Sequence, residues 1–247
     1  MTTAILSALA EEQQGLIDLL DEPACVRHAG RDFHTGRLWG EPVVVALSRI
    51  GKVAAATTAT VLIERFGAER IVFTGVAGGL GEGVRVGDVV IAAELLQHDM
   101  DASPLFPRHE VPLYGVARFV SDAALSAGLL AAARALEGGA GLPEAVRARY
   151  ALATSRAHHG LLISGDRFVS AAAEAEALRA SVPGALAVDM ESAAVAQVCR
   201  DYGLPFAVVR TISDRADDTA HVDFPAFVGE VASHYALAVL QTWLQAR

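Results

Sequence analysis

Carboxylates follow three short apolar runs of the sequence, and carboxylates placed in this way can carry acid–base chemistry. Glu12 follows the run at Thr3–Leu9, Asp189 and Glu191 stand at the end of a later run, and Asp214 follows a third. Two carboxyl groups on opposite sides of a bond can catalyse its hydrolysis together, because one protonates the leaving group while the other activates water. Each also fits a structural role, since acids are favoured in the first turn of a helix or as its cap.

A glycine-rich segment at Gly75–Gly81 follows the apolar run Arg70–Thr74. Its spacing matches neither the dinucleotide-binding G-x-G-x-x-G pattern nor the phosphate-binding loop that ends in Lys-Ser/Thr. It leads toward another apolar run at Val86–Leu95, whereas both motifs open a helix. The segment is therefore either a turn that needs positive φ or a place where a ligand approaches bare backbone.

The other polar clusters match neither a metal site nor a serine hydrolase. His98-Asp99 lacks a second pair of ligands, and His158-His159 precedes an apolar run, as a surface or partly packed pair would. No G-x-S-x-G pattern marks a serine nucleophile. We therefore expect no metal ion and no cofactor in the site.

Alternating strands and helices must position these residues. Short apolar runs predict strands, and longer segments with helical periodicity predict helices. The predicted strands are Thr3–Leu9, Phe33–Trp39, Pro42–Ser48, Arg70–Thr74, Val86–Leu95, Gly160–Ser164, Ala185–Asp189 and Phe206–Ile212. The predicted helices are Glu11–Leu20, Gly51–Phe66, Ser121–Leu136 with Ser121 as N-cap, Ala171–Ala180, Glu191–Tyr202 and Phe224–Gln245. Asp101–Gly115 holds three prolines and is predicted to be a loop.

This alternation continues without a break in composition and predicts a single α/β domain over residues 1–247. We expect a central mixed, mostly parallel twisted sheet with helices on both faces. Active sites in such sheets lie at the carboxyl ends of the strands. The carboxylates and the glycine segment are therefore expected to meet at one edge of the sheet.

Composition limits the classes of partner. Of 247 residues, 53% are hydrophobic and 20% are charged, which favours a large core over a disordered chain. A formal net charge of −9 argues against nucleic acid as a partner. No apolar stretch approaches the roughly 20 residues of a membrane span, and the first residues lack the basic segment of a secretory signal. Because Cys25 and Cys199 lie far apart and outside any ligand spacing, we expect a reduced, cytoplasmic protein.

Several segments carry a resemblance to a known family when they are taken together. They are Ala8–Glu12, Ser48–Ala55, Thr74–Leu80, Ser164–Val169 and Val188–Glu191 with Val209–Asp214. With these segments the chain resembles the 5′-methylthioadenosine/S-adenosylhomocysteine nucleosidases of the nucleoside phosphorylase/nucleosidase superfamily. The combination of Met190-Glu191 with Ile212-Ser213-Asp214 is the specific part. The resemblance implies a nucleoside phosphorylase-like fold and hydrolysis of a nucleoside with release of adenine.

The resemblance also implies roles for the carboxylates. Asp214 looks like the general acid that protonates adenine N7, and Glu12 looks like the residue that activates the attacking water. Glu191 would hold the ribose hydroxyls, with Met190 packed on the sugar. The family is homodimeric, so the resemblance implies a homodimer whose partner loop covers the 5′ end of a small-molecule nucleoside.

Further residues are expected to contact the substrate or to support the carboxylates. Phe168-Val169 would stack on adenine and pair with it through backbone groups, and Phe224 would close the base pocket. Arg210 and Ser213 would support Glu191 and Asp214. The remaining expected site residues are Ile50, Val76, Ala77, Gly78 and Asp189.

The sequence departs from the family at particular positions, and these leave the 5′ substituent open. Val76 stands where a small polar residue is common, Arg49 replaces Gly, Asp189 replaces a more usual Glu, and the loop at 101–112 differs. A purine nucleoside phosphorylase on the same fold is the nearest alternative, although Val76 offers phosphate no hydroxyl and Glu12 would repel it. A hydrolase of another adenine or futalosine-type nucleoside and a nucleoside-binding protein without catalysis also stay open.

Overall fold

The computed structural model describes residues 1–216 and 224–246. Its strands are β1 Thr3–Ser7, β2 Asp21–His28, β3 Arg31–Leu38, β4 Glu41–Leu47, β5 Arg70–Phe73, β6 Val76–Gly79, β7 Val89–Gln97, β8 Arg118–Val120, β9 Ala157–Ser164, β10 Ala185–Asp189 and β11 Phe206–Asp214. Its α-helices are α1 Ala10–Ile17, α2 Lys52–Phe66, α3 Ala123–Arg134, α4 Glu144–Arg149, α5 Ala172–Ser181, α6 Ser192–Tyr202, α7 Phe224–Phe227 and α8 Ser233–Gln245. A π-helical turn at Val228–Ala232 joins α7 to α8.

The strands form one mixed sheet in the order β2-β3-β4-β1-β5-β11-β6-β10-β9-β7-β8. The long strand β11 pairs in parallel with β5 through its first residues and with β6 through its last ones. Between them, Val209–Thr211 pair antiparallel with β7. Because β6, β10, β9 and β7 also pair in succession, these four strands and β11 close into a ring.

A mixed sheet was expected and is confirmed, but it is less parallel than the sequence predicted. Within residues 1–216 and 224–246, six strand pairings are parallel and five are antiparallel. The glycine segment accounts for part of the difference, because Val76–Gly79 is a strand rather than a turn. A Cβ at Gly78 would lie 3.0 Å from Asp214 Oδ1, so glycine lets β6 approach β11 closely.

Helices cover both faces of the sheet, as predicted, because successive residues of the central strands point to opposite sides. Ala4 and Leu6 of β1 belong to a core that α2 and α6 cover, whereas Ile5 belongs to a second core under α1, α3 and α8. All three side chains are fully buried. Burying a Leu or Ile side chain contributes roughly 1.5–3 kcal/mol, which fixes the strand register.

Some elements differ from the sequence-based expectation. The strand β2 was not predicted, and all eight of its residues are exposed. The N-cap of α3 is Asp122 rather than Ser121, since the Asp122 carboxylate accepts the Leu125 N–H at 2.8 Å. The C-terminal helix is confirmed, with a π-helical turn inside it. Among the described residues, no helix is long and apolar enough to cross a bilayer.

Candidate active site

A cleft with a volume of about 180 Å³ opens where the carboxyl ends of β1, β10 and β11 meet. It brings together most of the site residues that the sequence predicted, namely Ile50, Val76, Ala77, Gly78, Phe168, Val169, Asp189, Met190, Glu191, Ser213, Asp214 and Phe224. Glu12 and Arg210 are buried next to it and do not line its wall. Sequence reasoning missed the lining residues Ala8, Leu9, Arg167 and Val188, although all four belong to segments that carry the family resemblance.

Glu12 is held by the start of the first helix. It is the third residue of α1, and its Oε2 accepts the N–H groups of Ala8 at 3.0 Å and Leu9 at 2.9 Å. Its Oε1 has no hydrogen-bond partner within the described parts of the chain. Burial raises the pKa of Glu12, and the Leu9 N–H and the charge of Arg210 oppose this only in part.

Arg210 and Asp189 form a buried ion pair behind the cleft. Arg210 Nε lies 2.9 Å from Asp189 Oδ2, and both side chains are almost fully buried. Asp189 Oδ1 also accepts the Ser164 hydroxyl at 2.5 Å, and the Ser192 hydroxyl donates to Oδ2. The guanidinium lies 4.0 Å from the centre of the Phe73 ring. These added contacts offset part of the cost of removing two charges from water, although Arg210 Nη2 has no hydrogen-bond partner among the described residues.

Gly75 allows Glu12 and Arg210 to approach each other. A Cβ at this position would lie 3.1 Å from Glu12 Oε1 and 3.1 Å from Arg210 Nη1. The connection between β5 and β6 therefore passes between these two side chains with little room for a Cβ, and the φ of 154° at Gly75 also favours glycine. It brings the unpartnered carboxylate oxygen of Glu12 close to a fixed positive charge.

Glu191 follows β10 and precedes α6, and a backbone donor holds it from across the cleft. Its Oε1 accepts the N–H of Gly51 at 2.9 Å, and Gly51 has a φ of 93°, which favours glycine. Burial and the nearby charge of Asp189 raise the pKa of Glu191 to about 7. Glu191 is therefore poised to change its protonation state near neutral pH.

Asp214 ends β11 at a local irregularity. The register of β11 against β6 shifts between Ile212 and Asp214, and such bulges re-aim a side chain. One carboxylate oxygen of Asp214 accepts the Ser213 hydroxyl at 2.7 Å, and the other accepts the Ala216 N–H at 2.7 Å. These bonds fix the orientation of a carboxylate that lines the cleft.

Aromatic side chains form the mouth of the cleft. The Phe168 and Phe224 rings meet edge to face, with centroids 6.4 Å apart and an interplanar angle of 77°. Buried Val169 and exposed Ile50 continue this apolar wall. An aromatic and apolar lining of this kind suits contact with a planar ring. In the part of the chain that the structure describes, no group of three or more His, Cys, Asp or Glu side chains could hold a metal ion.

Comparison with known proteins places the chain in a family. A sequence model of the Phosphorylase superfamily matches residues 2–245. The 5′-methylthioadenosine/S-adenosylhomocysteine nucleosidase of Geobacillus thermodenitrificans is 38% identical over 97% of this chain and 95% of its own length. The chain belongs to this nucleosidase family. The family to which the sequence motifs pointed is thereby confirmed.

Solved structures confirm the nucleoside phosphorylase-like fold. The nucleosidase of Neisseria meningitidis in complex with methylthio-immucillin-A superposes with a TM-score of 0.88 at 34% identity and covers 100% of this chain and 99% of its own. The futalosine hydrolase of Helicobacter pylori superposes with a TM-score of 0.83 at 30% identity and covers 100% and 98%. Since both have this fold, the fold alone does not select the nucleoside.

Proposed function

We propose that the chain hydrolyses the N-glycosidic bond of 5′-methylthioadenosine, S-adenosylhomocysteine or both and releases adenine. The observation that carries the proposal is the arrangement of Glu12, Glu191 and Asp214 around one apolar cleft, with backbone N–H groups holding each carboxylate. Relatives that match this chain over nearly its whole length are nucleosidases of these two compounds.

Asp214 acts on the side of the base. Breaking the C1′–N9 bond leaves its electron pair on adenine, and a proton delivered to N7 neutralises the developing negative charge. The purine lies in the base slot, the part of the cleft that is lined by Phe168, Val169 and Phe224. The Ser213 hydroxyl and the Ala216 N–H keep the Asp214 carboxyl aimed at the base.

Glu191 acts on the side of the sugar. Its carboxylate accepts the ribose hydroxyls, and Met190 packs on the sugar ring. Positive charge develops on the ribose as the bond breaks, and an ionised carboxylate stabilises that charge. The Gly51 N–H orients Glu191 for this task.

Glu12 activates the attacking water. Its Oε1 is free of protein partners in the described residues, so it can accept a proton from water. Its raised pKa makes it a stronger base than an exposed glutamate. Arg210 lies on the other side of Gly75 and stabilises the negative charge of the Glu12 carboxylate.

A phosphorylase that uses phosphate in place of water is less well supported. Phosphate binding needs several donors that converge on one anion, commonly arginine, hydroxyl and backbone groups. Arg210 already pairs with Asp189, and Arg167, on the cleft wall, points to Glu174 and is largely exposed. Val76 adds no hydroxyl. The buried carboxylate of Glu12 would repel a phosphate dianion.

Release of free adenine tests the proposed function. The purified chain is incubated with 5′-methylthioadenosine, S-adenosylhomocysteine or futalosine, each with and without inorganic phosphate. We expect adenine and free sugar from one or both of the first two compounds, at a rate that phosphate does not change. A sugar 1-phosphate would make the chain a phosphorylase, and turnover of futalosine alone would move it to that substrate class. Tight nucleoside binding without turnover would make it a binding protein.

We also propose that the protein works as a cytoplasmic homodimer in which residues 1–247 act as one nucleosidase domain. Large apolar side chains are exposed at the mouth of the cleft and beside it, namely those of Ile50, Val53 and Phe168. Leu105 and Leu113 are also exposed, on the loop that follows β7. Exposed apolar surface near a ligand site favours association with another chain. A second copy would cover this surface and close the 5′ end of the cleft.

A further inference from the structure

Lys52 is the only lysine of the chain, and the other 19 of its 20 basic residues are arginines. A lysine ammonium is compact and directs three donors around one nitrogen, whereas a guanidinium is planar and wider. A chain that otherwise uses arginine throughout keeps lysine at this position. The surroundings of Lys52 show what its ammonium does.

The Lys52 ammonium joins acceptors from two other segments of the chain. Its Nζ lies 2.6 Å from Asp99 Oδ1, 3.2 Å from Gln97 Oε1 and 3.9 Å from Asp166 Oδ2. Lys52 begins α2, Gln97 ends β7 with Asp99 just beyond it, and Asp166 follows β9. The Lys52 side chain is 17% exposed, whereas Asp99 is 32% and Asp166 51% exposed, so the ammonium is sheltered and the outer carboxylate is half in water.

Backbone hydrogen bonds complete the same junction. Asp166 Oδ1 accepts the Lys52 N–H at 2.8 Å, and Asp99 Oδ2 accepts the Asp166 N–H at 2.9 Å. Burial raises the pKa of Asp99, but the hydrogen bonds from Lys52 and the Asp166 N–H, together with the positive charge of Lys52, outweigh burial and the net shift is downward. The two carboxylates are therefore held together by one positive charge.

Both ends of the junction reach the cleft. Asp166 lies two residues before Phe168 and three before Val169, which line the base slot. On the other side, Gly51 directly precedes Lys52 and donates its N–H to Glu191 at 2.9 Å. A displacement of the Lys52 junction would therefore move the base slot and release the donor that orients Glu191.

We propose that Lys52 is a positioning residue, whose ammonium ties the loop that carries Phe168 to the turn that orients Glu191. The inference rests on the proposed nucleosidase function. Without the ammonium, the carboxylates of Asp99 and Asp166 face each other with no cation and repel. The loop then moves away from α2, and the base slot loses its shape.

Lys52→Met tests this inference, with Arg118→Met as the matched control. Arg118 also forms a 2.7 Å ion pair, with Glu94, but this pair lies on β7 and β8 outside the cleft. For Lys52→Met we expect KM to rise about tenfold while kcat falls less, because binding contacts are lost and the reacting carboxylates remain. Adenine binding measured by calorimetry should weaken by a similar factor. Arg118→Met should leave both quantities unchanged.

Chemical restoration of the ammonium separates positioning from folding. Lys52→Cys is made in a Cys25→Ser background, because Cys25 is exposed while Cys199 is buried. The introduced thiolate displaces bromide from 2-bromoethylamine, and the side chain so regains an ammonium at nearly the length of lysine. We expect this treatment to restore adenine binding, whereas Lys52→Arg should stay impaired because the planar group does not fit the three acceptors.

Equal KM and adenine affinity in Lys52→Met, Arg118→Met and the wild type would overturn the inference. So would full recovery in Lys52→Arg, because any cation would then suffice. If Lys52→Met does not fold, the alkylated and untreated forms of Lys52→Cys provide the comparison. A wild type that binds adenine but releases none from any nucleoside would refute the proposed function, and the binding comparison would still decide the role of Lys52.

Discussion

Asp214 is the residue on which the proposed chemistry depends most directly. We expect Asp214→Asn to lower kcat by about 10²–10⁴-fold, because an amide cannot deliver the proton that the departing base needs. The fold should persist, since an asparagine side chain can still bond to the Ser213 hydroxyl and the Ala216 N–H. Steady-state adenine release and thermal unfolding check the two halves of this expectation. The control is Glu176→Gln, which changes an exposed side chain on α5. Normal activity of the Asp214→Asn enzyme would contradict the role of Asp214 as general acid.

Glu191 links the site to the pH dependence of stability. Its pKa is raised to about 7 by burial and by Asp189, so the folded chain holds a proton that the unfolded chain releases near its ordinary value of 4.5. Glu191 therefore makes its full contribution to the free energy of unfolding below about pH 4.5, and this contribution is lost as the pH rises through 7. The difference between a pKa of about 7 and the ordinary value of 4.5 corresponds to a loss on the order of 3 kcal/mol.

Glu191→Gln should remove that pH dependence. Glutamine keeps the acceptor for the Gly51 N–H but cannot titrate. We would measure thermal unfolding between pH 5 and 8, because this range spans the shifted pKa of Glu191. The Tm of the wild type should fall as the pH rises, and the Tm of the variant should change less. Parallel profiles for the two proteins would mean that Glu191 does not hold a proton in the folded state.

At the scale of the elements, the connection between β5 and β6 passes between Glu12 and Arg210, the groups of the proposed water site. Gly75→Ala places a Cβ 3.1 Å from both Glu12 Oε1 and Arg210 Nη1, so at least one of these buried side chains must shift. We expect kcat/KM to fall by roughly 10²-fold through displaced catalytic groups. Gly15→Ala in α1 is the control, since nothing lies within 4 Å of the added Cβ. Alanine at position 15 should stabilise the helix by about 0.5–1 kcal/mol and leave activity unchanged. A fully active Gly75→Ala would show that activity does not need a glycine between Glu12 and Arg210.

Buried elements could be predicted from sequence, and exposed or glycine-rich ones could not. β1, β5 and β10 were predicted because every residue of β1 and β5 and all but one of β10 are buried, which produces continuous apolar runs. β2 carries no such signal because it is exposed along its whole length and is held by antiparallel pairing with β3. β6 has four residues, two of them glycine, and forms only where β11 and β10 provide partners.

The same division applies to the candidate site. The carboxylates could be predicted, because the carboxyl ends of strands converge on one edge. The approach of Glu12 to Arg210 depends on how two distant segments meet around Gly75, and no local pattern in the sequence shows it. Lys52 is the only lysine of the chain, but its contacts with Asp99 and Asp166 join distant segments, and no local pattern predicts them.

At the scale of the whole molecule, β11 connects the open part of the sheet to the closed ring. Its start pairs with β5, its middle with β7 and its end with β6. The same strand carries Arg210 behind the cleft and Asp214 on its wall. Since both parts of the sheet hold β11, the spacing between Arg210 and Asp214 is set by the sheet.

Exposed apolar side chains lie at the outer rim of the cleft, and the proposed homodimer would cover them. Val53 is 80% exposed on α2, one residue beyond Lys52. Val53→Glu should therefore leave the protomer folded but weaken association, because a charge would be buried in the contact between copies. We expect sedimentation to show a dimer for the wild type and a monomer for the variant, with lower kcat/KM for 5′-methylthioadenosine. Val120→Glu, which changes another exposed valine at the edge strand β8, should stay dimeric and active. A monomeric and fully active wild type would show that one chain closes the cleft by itself.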